Sequence, residues 1–188
     1  MKVVSVDCGS KNMALCIIEA DKGAPITPSC VSHLERICLC GKTISDLVSG
    51  LKCELHARQN LWENTDVFVV EQQPSSNIKM KVISHCLQMY WHAMYPNAVV
   101  VFSSAKAALD RINSAEGHTK VKTKQTYATR KARSVAFATK FLSQSHMAEV
   151  LAAQDKKDDC ADALMHGVAW VLRKGGRLEL LKSMQNGN

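Results

Sequence analysis

Four aspartates crowd the stretch QDKKDDCADALMHG at residues 154–167: Asp155, Asp158, Asp159 and Asp162. Acids are expected in a first helical turn, where they interact favourably with the helix dipole. By itself the stretch therefore reads first as a solvated helix start. It becomes half of a metal site only if other carboxylates converge on it. Two more acids are candidates, because Asp7 closes the apolar run KVVSVD and Glu71 closes DVFVVE. An apolar strand rarely ends in a carboxylate through any need of packing. On a helix starting near Lys157, Asp159, Asp162 and His166 share one face at i, i+3 and i+7, with Asp162 about 60° round from Asp159. Asp158, at i−4 to Asp162, is a geometric rival, and Asp155 reads as the capping acid. Hard oxygen donors from separate elements suit Mg²⁺, with Mn²⁺ as a substitute, and paired ions suit in-line attack on a phosphodiester.

The elements that must position these acids follow from hydrophobic period. KVVSVD and MALCIIEA flank the turn GSKN and read as a hairpin, and residues 31–39 as a third strand. Residues 44–55 have apolar positions at helical spacing behind Thr43 as cap, and Val67–Val70 form a short buried strand stopped by Pro74. From Asn77 to Tyr95 the period is helical, with Ile78, Val82, Cys86, Met89 and Ala93 on one stripe. NAVVVFSS is another buried strand. Residues 113–125 contain almost no core formers and read as a mobile basic loop. The helix from Tyr127 to Leu142 is expected to bury Ala128, Ala132, Val135, Thr139 and Leu142, with Arg130, Arg133 and Lys140 opposite and Lys131 at the margin. Strands alternating with helices imply an α/β class with a mixed sheet opening on an antiparallel hairpin.

Composition narrows the function classes. The chain has 188 residues, 46% of them hydrophobic, which suits one globular domain with a full core. No long uncharged apolar run and no charged-then-apolar leader occur, so a soluble intracellular protein is expected rather than a secreted or membrane one. The eight cysteines are expected as reduced core thiols. Cys38, Cys40, Cys53 and His56 match no common structural-zinc spacing. The net charge is +7, and residues 72–148 hold eleven Lys/Arg against two acids, Asp110 and Glu116. A cationic middle points to a polyanion, most often nucleic acid.

At SVDCGSKNMA, VVEQQPSSNIKMK, VFSSAK, YATRKARSVAF and DDCADALMHG the sequence resembles the RuvC-type Holliday-junction resolvases of the RNase H-like superfamily, and more closely those of poxviruses and related large DNA viruses. The resemblance spans nearly the whole chain. It implies an RNase H-like domain over residues 1–188, with Asp7, Glu71, Asp159 and Asp162 as catalytic metal ligands for two Mg²⁺ ions. It also implies that Lys106 and Lys131 approach the scissile phosphate or the junction backbone, Lys131 with a catalytic part. Ser104 stands where many members have proline. Lys79, Lys81, Lys106, Lys120, Lys122, Lys124, Arg130, Lys131 and Arg133 are the expected DNA contacts. The implied activity is a metal-dependent endonuclease that resolves four-way junctions by paired symmetric nicks, as a homodimer with no small-molecule cofactor and no membrane, where viral DNA is replicated. The outward stripe of the 77–95 helix is the candidate subunit contact. Rival readings are a non-catalytic junction-binding protein and an RNase H-like nuclease acting more broadly on branched or hybrid substrates. His166 is read as a satisfied polar-face histidine, and Tyr90 and Trp91 as core or interface rather than base-stacking platforms.

Overall fold

The computed structural model describes residues 1–9, 11–117 and 126–179. The hairpin strands are β1 (Lys2–Asp7) and β2 (Asn12–Glu19), followed by the short β3 (Pro25–Ile26) and by β4 (Val31–Cys38). Helices α1 (Ile44–Ala57) and α2 (Gln59–Trp62) lead to β5 (Val67–Glu71), α3 (Ile78–Met94) and β6 (Val99–Ser103). Then come α4 (Ala105–Ala115), α5 (Tyr127–Leu142), α6 (Met147–Ala152), α7 (Lys157–Arg173) and β7 (Arg177–Leu178). The main sheet runs β4-β2-β1-β5-β6. β1/β2 and β2/β4 are antiparallel, whereas β1/β5 and β5/β6 are parallel, so the sheet is mixed as its sequence pattern implies.

Side-chain alternation divides the sheet into two faces. Val3, Cys16, Ile18 and Val69 pack under α4, α5 and α7, while Val4, Leu15, Ile17, Phe68 and Val70 pack under α1 and α3. Both faces are covered, which is why the strands read as continuous apolar runs. Period two puts Asp7 on the same side as Val3, and Glu71 on the same side as Val69, so both acids face the α7 layer. The hairpin turn is closed tightly at Gly9, where an added Cβ would sit 1.9 Å from the Asn12 carbonyl oxygen. Helix α7 also approaches β1 closely. A Cβ on Gly167 would meet Ser5 Oγ at 2.6 Å, and that hydroxyl donates to the Ala163 carbonyl at 2.7 Å.

Several expectations need correction. Of the face expected for helix α5 only Leu142 is buried: Ser134, Phe137, Ala138, Phe141 and Leu142 face the core, because two phenylalanines bury far more area than Ala128 and Ala132, which are exposed. The anticipated stripe of α3 is likewise not its buried one. Ile83, Leu87 and Trp91 are buried, with Trp91 stacked on Phe68 at 4.3 Å, while Ile78 and Met89 are each 68% exposed. Residues 113–115 belong to α4 rather than to a loop, and residues 118–125 lie outside the described residues. Helices α4 and α6 and the β3/β7 pair were not expected. Asp155 does not cap α7. The cap position is Lys156, with no side-chain cap bond, and Asp155 lies 3.5 Å from Arg36.

Candidate active site

Parallel strands end side by side, and ligands of open α/β sheets collect beyond their carboxyl ends. Here Val6 pairs with Val70, so Asp7 and Glu71 are the next residues along adjacent strands. The first turns of α7 run over the same edge. Asp7, Glu71, Asp159 and Asp162 therefore line one cleft of about 660 Å³, with Lys106, Tyr127, Arg130 and Lys131 also on its walls. Lys106 stands in the first turn of α4, whose N-cap is Ser104, its hydroxyl accepting from the Ala107 amide at 3.2 Å. The corrected phase of α5 carries Arg130 and Lys131 into the cleft. Lys79, Lys81 and Arg133 do not line it; Lys79 instead donates to the Lys42 carbonyl at 2.9 Å. Lys120, Lys122 and Lys124 lie outside the described residues.

The electrostatics of the acids are unbalanced. Burial, and then the neighbouring Glu71, Asp162 and Asp159, raise the Asp7 carboxyl well above its ordinary value. Burial pushes Asp162 up to about 6, against the opposing hydrogen bond of Ser134 and charge of Lys131. Asp159 is raised by burial and by Asp158. Desolvated like charges of this kind favour either a proton or a cation. A donor set of four carboxylates from three elements fits a hard divalent ion. Among the described residues, no three His, Cys, Asp or Glu side chains are already drawn together as a metal cage. Two of the acids are engaged elsewhere: Glu71 accepts from Gln73 Nε2 at 2.6 Å, and Asp159 lies 3.6 Å from Lys131 Nζ.

Lys131 makes a short ion pair with Asp158. Burial works against the lysine's charge, but the hydrogen bonds that Lys131 makes to Asp158 and Tyr127 outweigh it and lift its pKa above the ordinary range. Burial also opposes ionisation of Asp158, yet Lys131 holds that carboxyl below its usual value. Asp158 is thus the partner of a cleft lysine, and it is absent from the cleft lining. Sequence reading missed Gln73, Ser134 and the Tyr127 ring, whose centroid is 5.3 Å from Lys131 Nζ. Only the QQ pair after Glu71 offered a signal for any of them. His166 is fully buried rather than on a polar face, with Nδ1 on Ser103 Oγ at 2.8 Å, and desolvation lowers its pKa. Ser103 is the sheet neighbour of Glu71, so this histidine supports the floor beneath that acid.

The fold matches that of the fowlpox virus resolvase solved with substrate Holliday junction DNA, with a TM-score of 0.66 and 19% identity over 92% of this chain and 98% of that one. It also matches Thermus thermophilus RuvC, with a TM-score of 0.57 and 11% identity over 92% and 96% of the two chains. These likenesses make the fold RNase H-like. Uncharacterized protein 97L of Invertebrate iridescent virus 3 is 30% identical over 106 residues, 56% of this chain and 48% of that protein. The match thus spans about half the length of that curated relative. The model of the poxvirus A22 protein family matches residues 1–174, and the chain belongs to that family.

Proposed function

We propose that this protein is a metal-dependent, structure-selective endonuclease that resolves four-way DNA junctions by paired symmetric nicks, with residues 1–188 forming one RNase H-like nuclease domain. The observation that carries this reading is the single cleft in which two strand-end acids and two helix acids face Lys106, Arg130 and Lys131. Its support from relatives is that the fowlpox and Thermus proteins of the same fold were solved with junction DNA.

Asp7, Glu71, Asp159 and Asp162 would hold two Mg²⁺ ions, which when bound activate water and stabilise the departing oxygen. Gln73 orients the Glu71 carboxylate, and Ser134, whose hydroxyl donates to the Lys131 carbonyl at 3.0 Å, lowers the Asp162 pKa against its burial. Lys131, fixed between Asp158 and Tyr127, presents a positive charge to the phosphate, while Lys106 and Arg130 neutralise flanking backbone. No serine or tyrosine nucleophile is needed, and the products carry 5′-phosphate and 3′-hydroxyl ends. Lys79, Lys81 and Arg133, outside the cleft lining, would add phosphate contacts, and the lysines at 120, 122 and 124, which lie outside the described residues, would contribute further positive charge toward DNA.

Two symmetric cuts require two clusters, and one chain supplies one, so the working form is a homodimer. Ile78 and Met89 of α3, with Phe102 of β6, are exposed apolar residues, and they would form its contact. No helix among the described residues is long and apolar enough to cross a membrane. Membership of a poxvirus protein family supports work at sites of viral DNA replication. Cleavage of matched junction, flap, hybrid and linear substrates with Mg²⁺ or EDTA tests the reading. Junction-selective, EDTA-sensitive paired nicking is expected. Equal cutting of hybrids or flaps would move the protein to a general nuclease, and binding without cutting to a non-catalytic role.

A further inference from the structure

Six of the eight cysteines fall into two groups that sequence reading did not separate, and Cys30 and Cys86 are intermediate. Cys8, Cys16 and Cys160 are buried, and burial pushes their thiols up, which makes them inert. Cys38, Cys40 and Cys53 are exposed, so the expectation of core thiols fails for these three. Cys38 and Cys40 also face each other, with their sulfurs 3.9 Å apart. The reason is the strand itself. Cys38 ends β4, and the extended chain continues through Leu39, whose side chain is buried in the core while its amide donates to the Lys11 carbonyl at 2.8 Å. Positions i and i+2 of an extended chain share a face, so anchoring Leu39 inward turns both thiols outward together. Any disulfide reagent in solution reaches both.

We propose that Cys38 and Cys40 form a reversible dithiol site for exchange with small disulfides of the glutathione class. The thiolate of one cysteine attacks a sulfur of glutathione disulfide, forming a mixed disulfide and releasing one glutathione thiolate, which takes up a proton. The neighbouring thiol loses its proton and attacks the protein sulfur of the mixed disulfide, expelling the second glutathione. Two protein thiols are oxidised to one disulfide, and one glutathione disulfide is reduced to two thiols. Two residues of extended chain span about 6.4–6.8 Å, the upper end of the Cα separation a disulfide tolerates. The closed form is therefore strained and reopens readily in excess thiol, as labile disulfides do. Cys38 pairs with Asn12, and Asn12 lines the acid cleft, so closure acts on the strand end beside the hairpin turn that follows Asp7.

The test uses the full chain with glutathione disulfide and peptide mass analysis, and needs no nuclease activity. The wild-type peptide containing Cys38 and Cys40 is expected to lose two hydrogens and to regain them in excess reduced glutathione. Cys38→Ser and Cys40→Ser should each stop at a stable glutathione adduct on the remaining cysteine. Cys53→Ser should leave the oxidation unchanged. A persistent adduct on the wild-type protein, no modification at all, or pairing of either cysteine with Cys53 would overturn the proposal.

Discussion

Two charged clusters in this molecule have opposite character. On the outer side of β4, Arg58 donates to Glu35 through Nε at 2.9 Å and Nη2 at 2.6 Å and also pairs with Glu54, while His33 lies 3.1 Å from Glu35. Each acid there has a cation, and the Arg58 hydrogen bond, against opposing burial, holds Glu35 below its ordinary value. In the cleft, Asp7 and Asp162 are raised by burial and Glu71 lies among like charges. Both clusters are built from ordinary acids and bases on a shared sheet. The first is satisfied by the chain alone, and the second is left in want of positive charge. That deficit costs stability and marks the place where something else must bind.

The sharpest break of this contrast is removal of a cleft acid. Asp7→Asn, Glu71→Gln, Asp159→Asn and Asp162→Asn should each reduce cleavage by at least about 10²–10³-fold, the scale seen when one preorganised electrostatic element is lost. Junction binding should remain, and quantified nicking beside gel-shift binding separates the two. Joint loss of binding and folding in these variants would remove the assignment.

Next in size is the satisfied cluster. Arg58→Ala leaves Glu35 without its main partner and should destabilise the fold by about 1–3 kcal/mol in a denaturant titration while leaving cleavage unchanged. A cleavage defect there would erase the distinction between the two regions.

The pH dependence sharpens it further. An acid whose pKa is higher in the fold than in the unfolded chain penalises the fold while ionised in both states, and the penalty fades as pH falls through the folded value. Metal-free protein should thus gain stability as pH drops from neutrality through about 6, where Asp162 takes up its proton. Asp162→Asn should flatten that rise. Glu35 runs the other way: its contribution is present above its ordinary value of 4.5 and is lost only as pH falls through its depressed folded value. Melting curves across this range without divalent ions would expose the two windows.

Smallest is the effect of Asp158→Asn, which frees Lys131 but removes no carboxylate from the cleft. The lost, partly exposed ion pair is worth up to about 1 kcal/mol, so cleavage should fall by no more than about tenfold. A loss as large as that of Asp159→Asn would make Asp158 a ligand and shift the helix register by one residue.

Which elements were legible in the sequence follows from what each one depends on. Strands β1 and β5 and helix α7 carry uninterrupted local signals, so the strand-end positions of Asp7 and Glu71 and the shared face of Asp159 and Asp162 could be read directly. Period two along a strand and 3.6 along a helix are set by the backbone alone. The phase of α5 was not legible, because its small residues and its phenylalanines mark different faces and only the neighbouring α7 decides which is buried. For α3, with apolar residues on two sides, the choice depended on Phe68 stacking against Trp91 rather than on Met89. The pairing of Lys131 with Asp158 crosses 27 residues, and that of Gln73 with Glu71 depends on how the chain turns after β5. Local chemistry determined which residues stood at the ends of elements. Only packing of distant elements decided which charges found partners and which were left facing the cleft.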